Sequence, residues 1–213
     1  MDSLLSTYSE KLVRDYGGHL GGYNMRPAEV YLGEFDFFIK EAEKSGGPVL
    51  ELACCGGRMS VIMAQAGFEV YAIDSSIHAL RLAKDVLALN LRGEEIRRVH
   101  LIQGDMCNFY FRRKFPLVII PFQSFWFNFS RAARAESSHG EANPDIVYGL
   151  AERCLKSILG SLQKKGKFII DAPHNHNQEE PWWNIMSKAH GFSYGTICPY
   201  KSECYRVLVG EKL

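Results

Sequence analysis

At 213 residues, with 46% hydrophobic and 23% charged side chains, the chain has the size and composition of one globular domain with a sizeable core. Its 25 basic and 24 acidic residues leave a net charge of +1, which is no electrostatic footprint for nucleic acid. No apolar run reaches the length of a membrane span, and Met1-Asp2-Ser3-Leu4-Leu5 lacks the basic-then-apolar order of a signal peptide. Six cysteines, at 54, 55, 107, 154, 198 and 204, form no C-x-x-C pair, which is the usage of reduced thiols in the cytoplasm.

Residues 1–46 read as a helical cap. Ser6 through Tyr16 has the composition of a surface helix, and the glycines at 17, 18, 21 and 22 break it. Ala28–Ala42 resumes helical spacing, with Val30, Tyr31, Phe35, Phe38 and Ile39 near one face. Pro48–Leu52 is a short apolar run and predicts a buried strand. Ala53-Cys54-Cys55-Gly56-Gly57 are all small, so the backbone can turn tightly and let a ligand come close. Helical spacing over Arg58–Ala66 puts Met59, Ile62, Met63 and Ala66 on one face. Phe68–Ile73 is a second strand, ending on Asp74. Strand, tight turn, helix, strand and terminal acid make the nucleotide-binding half of a doubly wound sheet, and an acid there suits ribose hydroxyls. Neither G-x-G-x-x-G nor G-x-x-x-x-G-K-[ST] is present, which excludes the dinucleotide fingerprint and the P-loop.

The alternation continues. Ser75 or Ser76 caps a helix over Ile77–Asn90, Arg92–Glu95 turns the chain, and Val99–Gln103 is a third strand followed by Gly104-Asp105-Met106. Phe115–Pro121 is apolar enough to be buried on both faces, and leaves through Phe122-Gln123-Ser124-Phe125-Trp126. Asn128–Asn143 is a polar loop. Asn143-Pro144-Asp145 then starts a helix that reaches Lys164-Lys165-Gly166, with Cys154 on its core face. Lys167–Asp171 is a fifth strand; a short helix over Pro181–Ala189 and strands at Phe192–Cys198 and Cys204–Val209 follow. The Ala53–Gly57 turn, Asp74 and Asp105 each fall at the C-terminal end of a strand, the edge at which open α/β sheets bind ligands.

The stretch Val49-Leu50-Glu51-Leu52-Ala53-Cys54-Cys55-Gly56-Gly57-Arg58 resembles motif I of the class I S-adenosylmethionine-dependent methyltransferases, in the form V-L-E-L-A-C-G-T-G-R. Cys55 stands where that form has a glycine, and Ala53 replaces another glycine of the stricter pattern. A cysteine there is expected at negative φ, its thiol toward the helix-packing side. The resemblance covers roughly residues 47–210. It implies an α/β fold: a Rossmann-like, doubly wound, seven-stranded sheet, mostly parallel with the last strand antiparallel, beneath an N-terminal cap or lid at 1–46. Residues 47–213 are then the S-adenosylmethionine-binding domain. The cofactor contacts it implies are Glu51, Ala53, Cys54, Gly57, Asp74, Ser75, Asp105, Met106, Pro121 and Phe122. Among them, Asp74 faces the ribose, Asp105 the adenine amino group, and Met106 the ring.

The implied activity is methyl transfer to nitrogen, oxygen, sulfur or carbon of a small molecule, with Tyr23, Arg26, Gln123, Ser124, Trp126 and Trp182 around the substrate. His174 and His176 leave the fifth strand at the same edge and titrate near neutrality, so either can accept a proton. They are the catalytic candidates, His174 first because it is nearer the strand. His-x-His supplies two metal ligands without a third, so no metal is expected. Two other classes stay open: a sensor that binds S-adenosylmethionine, which loss of the glycine at Cys55 favours, and a non-methylating protein using the same cofactor. A nucleic-acid methyltransferase is disfavoured by the neutral charge and by Pro121-Phe122-Gln123 in place of D/N-P-P-[YFW]. Oligomeric state is not legible in the sequence.

Overall fold

A computed structural model of the chain describes residues 28–122, 124, 125, 129, 143–173, 192–197 and 205–213. The expected helices at Ser6–Tyr16 and Pro181–Ala189, most of the loop after Asn128, and Tyr23, Arg26, Gln123, Trp126, His174, His176 and Trp182 lie outside the described residues.

The elements are, in order, helix α1 (Ala28–Ser45), strand β1 (Val49–Leu52), helix α2 (Arg58–Gln65), strand β2 (Val70–Asp74), helix α3 (Ile77–Asn90), short helix α4 (Glu94–Arg97), strand β3 (Val99–Gln103), strand β4 (Phe115–Ile120), helix α5 (Pro144–Ser161), and strands β5 (Leu162–Pro173), β6 (Phe192–Ile197) and β7 (Tyr205–Lys212). They form one sheet in the order β3-β2-β1-β4-β5-β7-β6. The β1–β2, β1–β4, β2–β3 and β4–β5 pairs are parallel, while β7 runs antiparallel to both β5 and β6. This is a Rossmann-like α/β sheet, mostly parallel and closed by one reversed strand.

Strand alternation sorts the core into two layers. Val49, Val70, Ala72, Leu117, Ile119 and Ile169 face α1, α2 and α3, whereas Leu50, Leu52, Ile73, Val118, Ile120 and Ile170 face α5. Both faces are covered, which is why β4 is apolar and buried along its whole length. The first helix belongs to this core: Phe35, Phe38, Ile39 and Ala42 are buried in it.

Three local details depart from the expectations. The Arg92–Glu95 turn carries the short helix α4, because the Glu95 carboxylate accepts from the Arg92 backbone N–H and closes its first turn. Helix α5, capped by the Asn143 side chain accepting from Asp145 N–H, stops at Ser161, and β5 begins at Leu162 instead of Lys167. Leu162 takes extended backbone and pairs with Phe115, and the ladder is next in register at Leu117 and Lys167. The intervening bulge is held by Lys165 at φ 59° and by Gly166, where a Cβ would lie 2.9 Å from the carbonyl oxygens of Gln163 and Phe115. The Lys212 ammonium then donates to the carbonyls of Leu159 and Leu162, each at 2.9 Å, and satisfies the end of the helix.

Candidate functional site

Strands β1, β2 and β3 succeed one another outward, and the chain then returns to lay β4 on the other side of β1. That reversal opens a crevice between the C-terminal ends of β1 and β4, the usual ligand site of such sheets. Those of the expected residues that are described lie at or just beyond the C-terminal ends of β1, β2, β3 and β4.

Alternation along β1 turns Glu51 toward α2, and Ser60 in the first turn of that helix donates to its Oε2 at 2.5 Å. The carboxyl is almost wholly buried, and burial pushes its pKa up from 4.5 to about 8. The Ser60 hydrogen bond and the Arg58 charge pull the other way and are outweighed.

After Leu52 the backbone reverses by repeated left-handed residues: Ala53 at φ 55°, Cys55 at φ 49° and Gly57 at φ 76°. These are the three positions at which the stricter motif has glycine. The expectation of negative φ at Cys55 is therefore corrected. The turn keeps a glycine-type path because its hydrogen bonds impose it: Cys54 N–H donates to Ile73 O at 3.0 Å, Cys55 N–H to Asp74 Oδ2 at 2.9 Å, and Gly57 N–H to Cys54 O at 2.9 Å. At Gly57 glycine is favoured twice, by φ and because a Cβ would sit a tight 3.2 Å from the Cβ of Ala83 in α3. Burial raises the thiol pKa of both Cys54 and Cys55, so neither is an activated nucleophile.

Asp74 ends β2 with both carboxylate oxygens engaged, Oδ2 by Cys55 N–H and Oδ1 by Ser76 N–H at 2.8 Å. Each oxygen retains a second acceptor site. Ser76, rather than Ser75, caps α3 by accepting from Ala79 N–H at 3.3 Å. Ser75 is exposed beside Asp74, with its carbonyl accepting from Gln103 at 3.3 Å. Gly104 N–H donates to Asp74 O at 3.0 Å, which carries Asp105 to the same edge. Asp105 is exposed and accepts from Cys107 N–H at 2.8 Å, and Met106 packs half-buried against the α5-side core.

Across the crevice, β4 exits through buried Pro121 to Phe122, again left-handed at φ 58°. Ser124 N–H donates to Pro121 O at 3.3 Å. Two neighbours of Phe122 were not among the expected site residues. The Arg58 guanidinium carbon lies 3.6 Å from its ring centre, and Phe35 of α1 meets it edge-on with centroids 6.0 Å apart. Arg58, directly after the last turn glycine, was legible as the end of the motif and the start of a helix, but its contact with Phe122 was not, since that partner comes 64 residues later. Among the described residues no group of three or more His, Cys, Asp or Glu could hold a metal, and no helix is long and apolar enough to cross a membrane.

A family profile described as a methyltransferase domain matches residues 49–138. A search of curated proteins finds no match. Among solved structures, a glycopeptide N-methyltransferase complexed with S-adenosylhomocysteine superposes with a TM-score of 0.63 at 17% identity, over 85% of this chain and 89% of that one. An S-adenosylmethionine-dependent methyltransferase from Clostridium acetobutylicum gives 0.61 at 15% identity, over 86% and 92%. A TehB-like S-adenosylmethionine-dependent methyltransferase from Corynebacterium glutamicum gives 0.59 at 14% identity over the whole of both chains. At these identities the likeness establishes the fold.

Proposed function

We propose that this chain, whose residues 49–138 match a methyltransferase-domain profile, uses S-adenosyl-L-methionine to methylate nitrogen, oxygen, sulfur or carbon of a small molecule. One observation carries the cofactor reading: a left-handed turn of small residues is hydrogen-bonded to the acid at the tip of the next strand, at the crevice where the strand order reverses. The residues present fit the cofactor, because the turn bares its backbone and Asp74 keeps acceptor capacity toward the crevice.

When bound, S-adenosylmethionine supplies a methyl carbon activated by its sulfonium, open to in-line attack by an acceptor lone pair. The chain holds and orients. Asp74 would accept from the ribose hydroxyls, with Ser75 beside it, and Asp105 and Met106 would hold the adenine. Ala53, Cys54 and Gly57 would line the cofactor side of the turn, Glu51 would support it from beneath, held by Ser60, and Pro121 and Phe122 would close the other wall. Much of the rate then comes from positioning and exclusion of water. Tyr23 and Arg26 of the 1–46 cap, with Gln123, Ser124, Trp126 and Trp182, enclose the acceptor, and His174 or His176 takes its proton where one must leave. Unpaired cysteines at 54, 55, 107 and 154 agree with a cytoplasmic protein. Cys55 takes positive φ and so keeps the turn's left-handed path, which supports the enzyme reading over the sensor.

The test is mass spectrometry of the protein incubated with methyl-labelled cofactor and a metabolite extract. A labelled small molecule is expected. Cofactor binding with no labelled product in any extract overturns the enzyme reading in favour of the sensor.

A further inference from the structure

Arg58 opens α2 on the β1 side of the crevice, and Phe122 follows β4 on the other, so their contact bridges the switch point. The ring is set by its positive-φ backbone and packs T-shaped with Phe35. Its face is thereby built as a cation site, and the guanidinium 3.6 Å from its centre already occupies it. The two cofactor forms differ in one property that such a face can read. S-adenosylmethionine carries a positive sulfonium, whereas S-adenosylhomocysteine is a neutral thioether of nearly the same shape.

We propose that Phe122 recognises the sulfonium and that Arg58 competes with it for the ring, so that this pair sets the preference between S-adenosylmethionine and S-adenosylhomocysteine. The inference rests on the methyltransferase reading above. Binding of the charged form displaces the guanidinium; once the sulfur is neutral, the guanidinium regains the ring. Arg58 thus narrows the advantage of the charged form over the neutral one.

Calorimetric titration of both ligands needs no methyl acceptor. The quantity read is the ratio of the dissociation constant for S-adenosylhomocysteine to that for S-adenosylmethionine. In Arg58→Gln this ratio should rise about fivefold, through tighter binding of the charged form alone. Arg58→Lys and Phe122→Tyr, which keep the cation and the ring, should hold the wild-type ratio. In the F122L background, Arg58→Gln should leave the ratio unchanged, because the contested face is gone. Thermal melts confirm that each variant is folded. If Arg58→Gln weakens both ligands alike, Arg58 serves a group common to both and the inference fails. An equal rise with and without the ring also overturns it, since simple charge repulsion then suffices. Failure of the wild type to bind either ligand overturns the methyltransferase reading itself, while binding with an unresponsive ratio overturns this inference alone.

Discussion

The backbone N–H of Cys55 donates to Oδ2 of Asp74 at 2.9 Å, tying the middle of the motif turn to an acid 19 residues later. The acid does two jobs at once. It fixes the turn in its left-handed path and presents its remaining acceptor capacity at the tip of β2.

Asp74→Ala should therefore weaken S-adenosylhomocysteine binding by about 1.5–3 kcal/mol, the range for a hydrogen bond to a charged group. Asp105→Ala should weaken it less, because on the proposed reading Met106 would also hold the adenine by apolar packing. Calorimetry measures both. If the Asp74 variant melts earlier but binds as tightly, the acid serves the turn and not the ligand.

Cys55 sits at φ 49°, a conformation that costs a non-glycine residue roughly 1–2 kcal/mol. Cys55→Gly relieves this strain while adding freedom to the unfolded chain, for a net gain of up to about 1 kcal/mol in urea unfolding. Cofactor affinity should be equal or modestly tighter. Cys55→Val, β-branched at positive φ, should destabilise by at least about 1 kcal/mol. A marked loss of affinity in the glycine variant would assign the thiol a role of its own.

Glu51 predicts a pH dependence. Its folded pKa, about 8, is raised above the ordinary 4.5 by burial, so the folded state holds a proton that the unfolded state releases. The contribution is fully present below about pH 4.5 and is lost as pH rises through 8. Each unit between the two values corresponds to about 1.4 kcal/mol. Glu51→Gln keeps an acceptor for Ser60 and should flatten the fall in stability between pH 5.5 and 8.5, followed by urea unfolding. Ser60→Ala removes a hydrogen bond that lowers the pKa, and should steepen the dependence at its upper end.

Gly166 and Gly160 should respond to alanine in opposite directions. At Gly166 the added Cβ meets two backbone oxygens at 2.9 Å, and the bulge must shift, at a cost of about 1–3 kcal/mol. At Gly160, exposed in α5 with nothing within 4 Å of the added carbon, alanine should gain about 0.5–1 kcal/mol in the same unfolding assay.

His174→Ala should lower turnover and leave S-adenosylmethionine affinity nearly unchanged, once an acceptor is in hand. The effect should exceed that of His176→Ala. Full activity in both variants would leave catalysis to proximity alone.

Local pattern sufficed for the parts of the molecule that depend on neighbours in sequence. The apolar run Pro48–Leu52, a cap at Ser75 or Ser76, the cap at Asn143 and the acid after the second strand follow from apolar run length and capping chemistry, all short-range effects. The ligand edge of the sheet also followed, because the Ala53–Gly57 turn, Asp74 and Asp105 each come at the C-terminal end of an expected strand. What the tertiary structure alone decided involves partners far apart in the chain. Cys55 is left-handed because its N–H is claimed by Asp74, a bond that local residue preference does not reveal. Glu51 became a buried, proton-holding carboxyl only when α2 folded over it and supplied Ser60. Helix α5 ends three residues before the expected Lys164 because Leu162 is drawn into the ladder beside Phe115. Arg58 meets Phe122 only because β4 returns beside β1, and periodicity in sequence carries no record of that return.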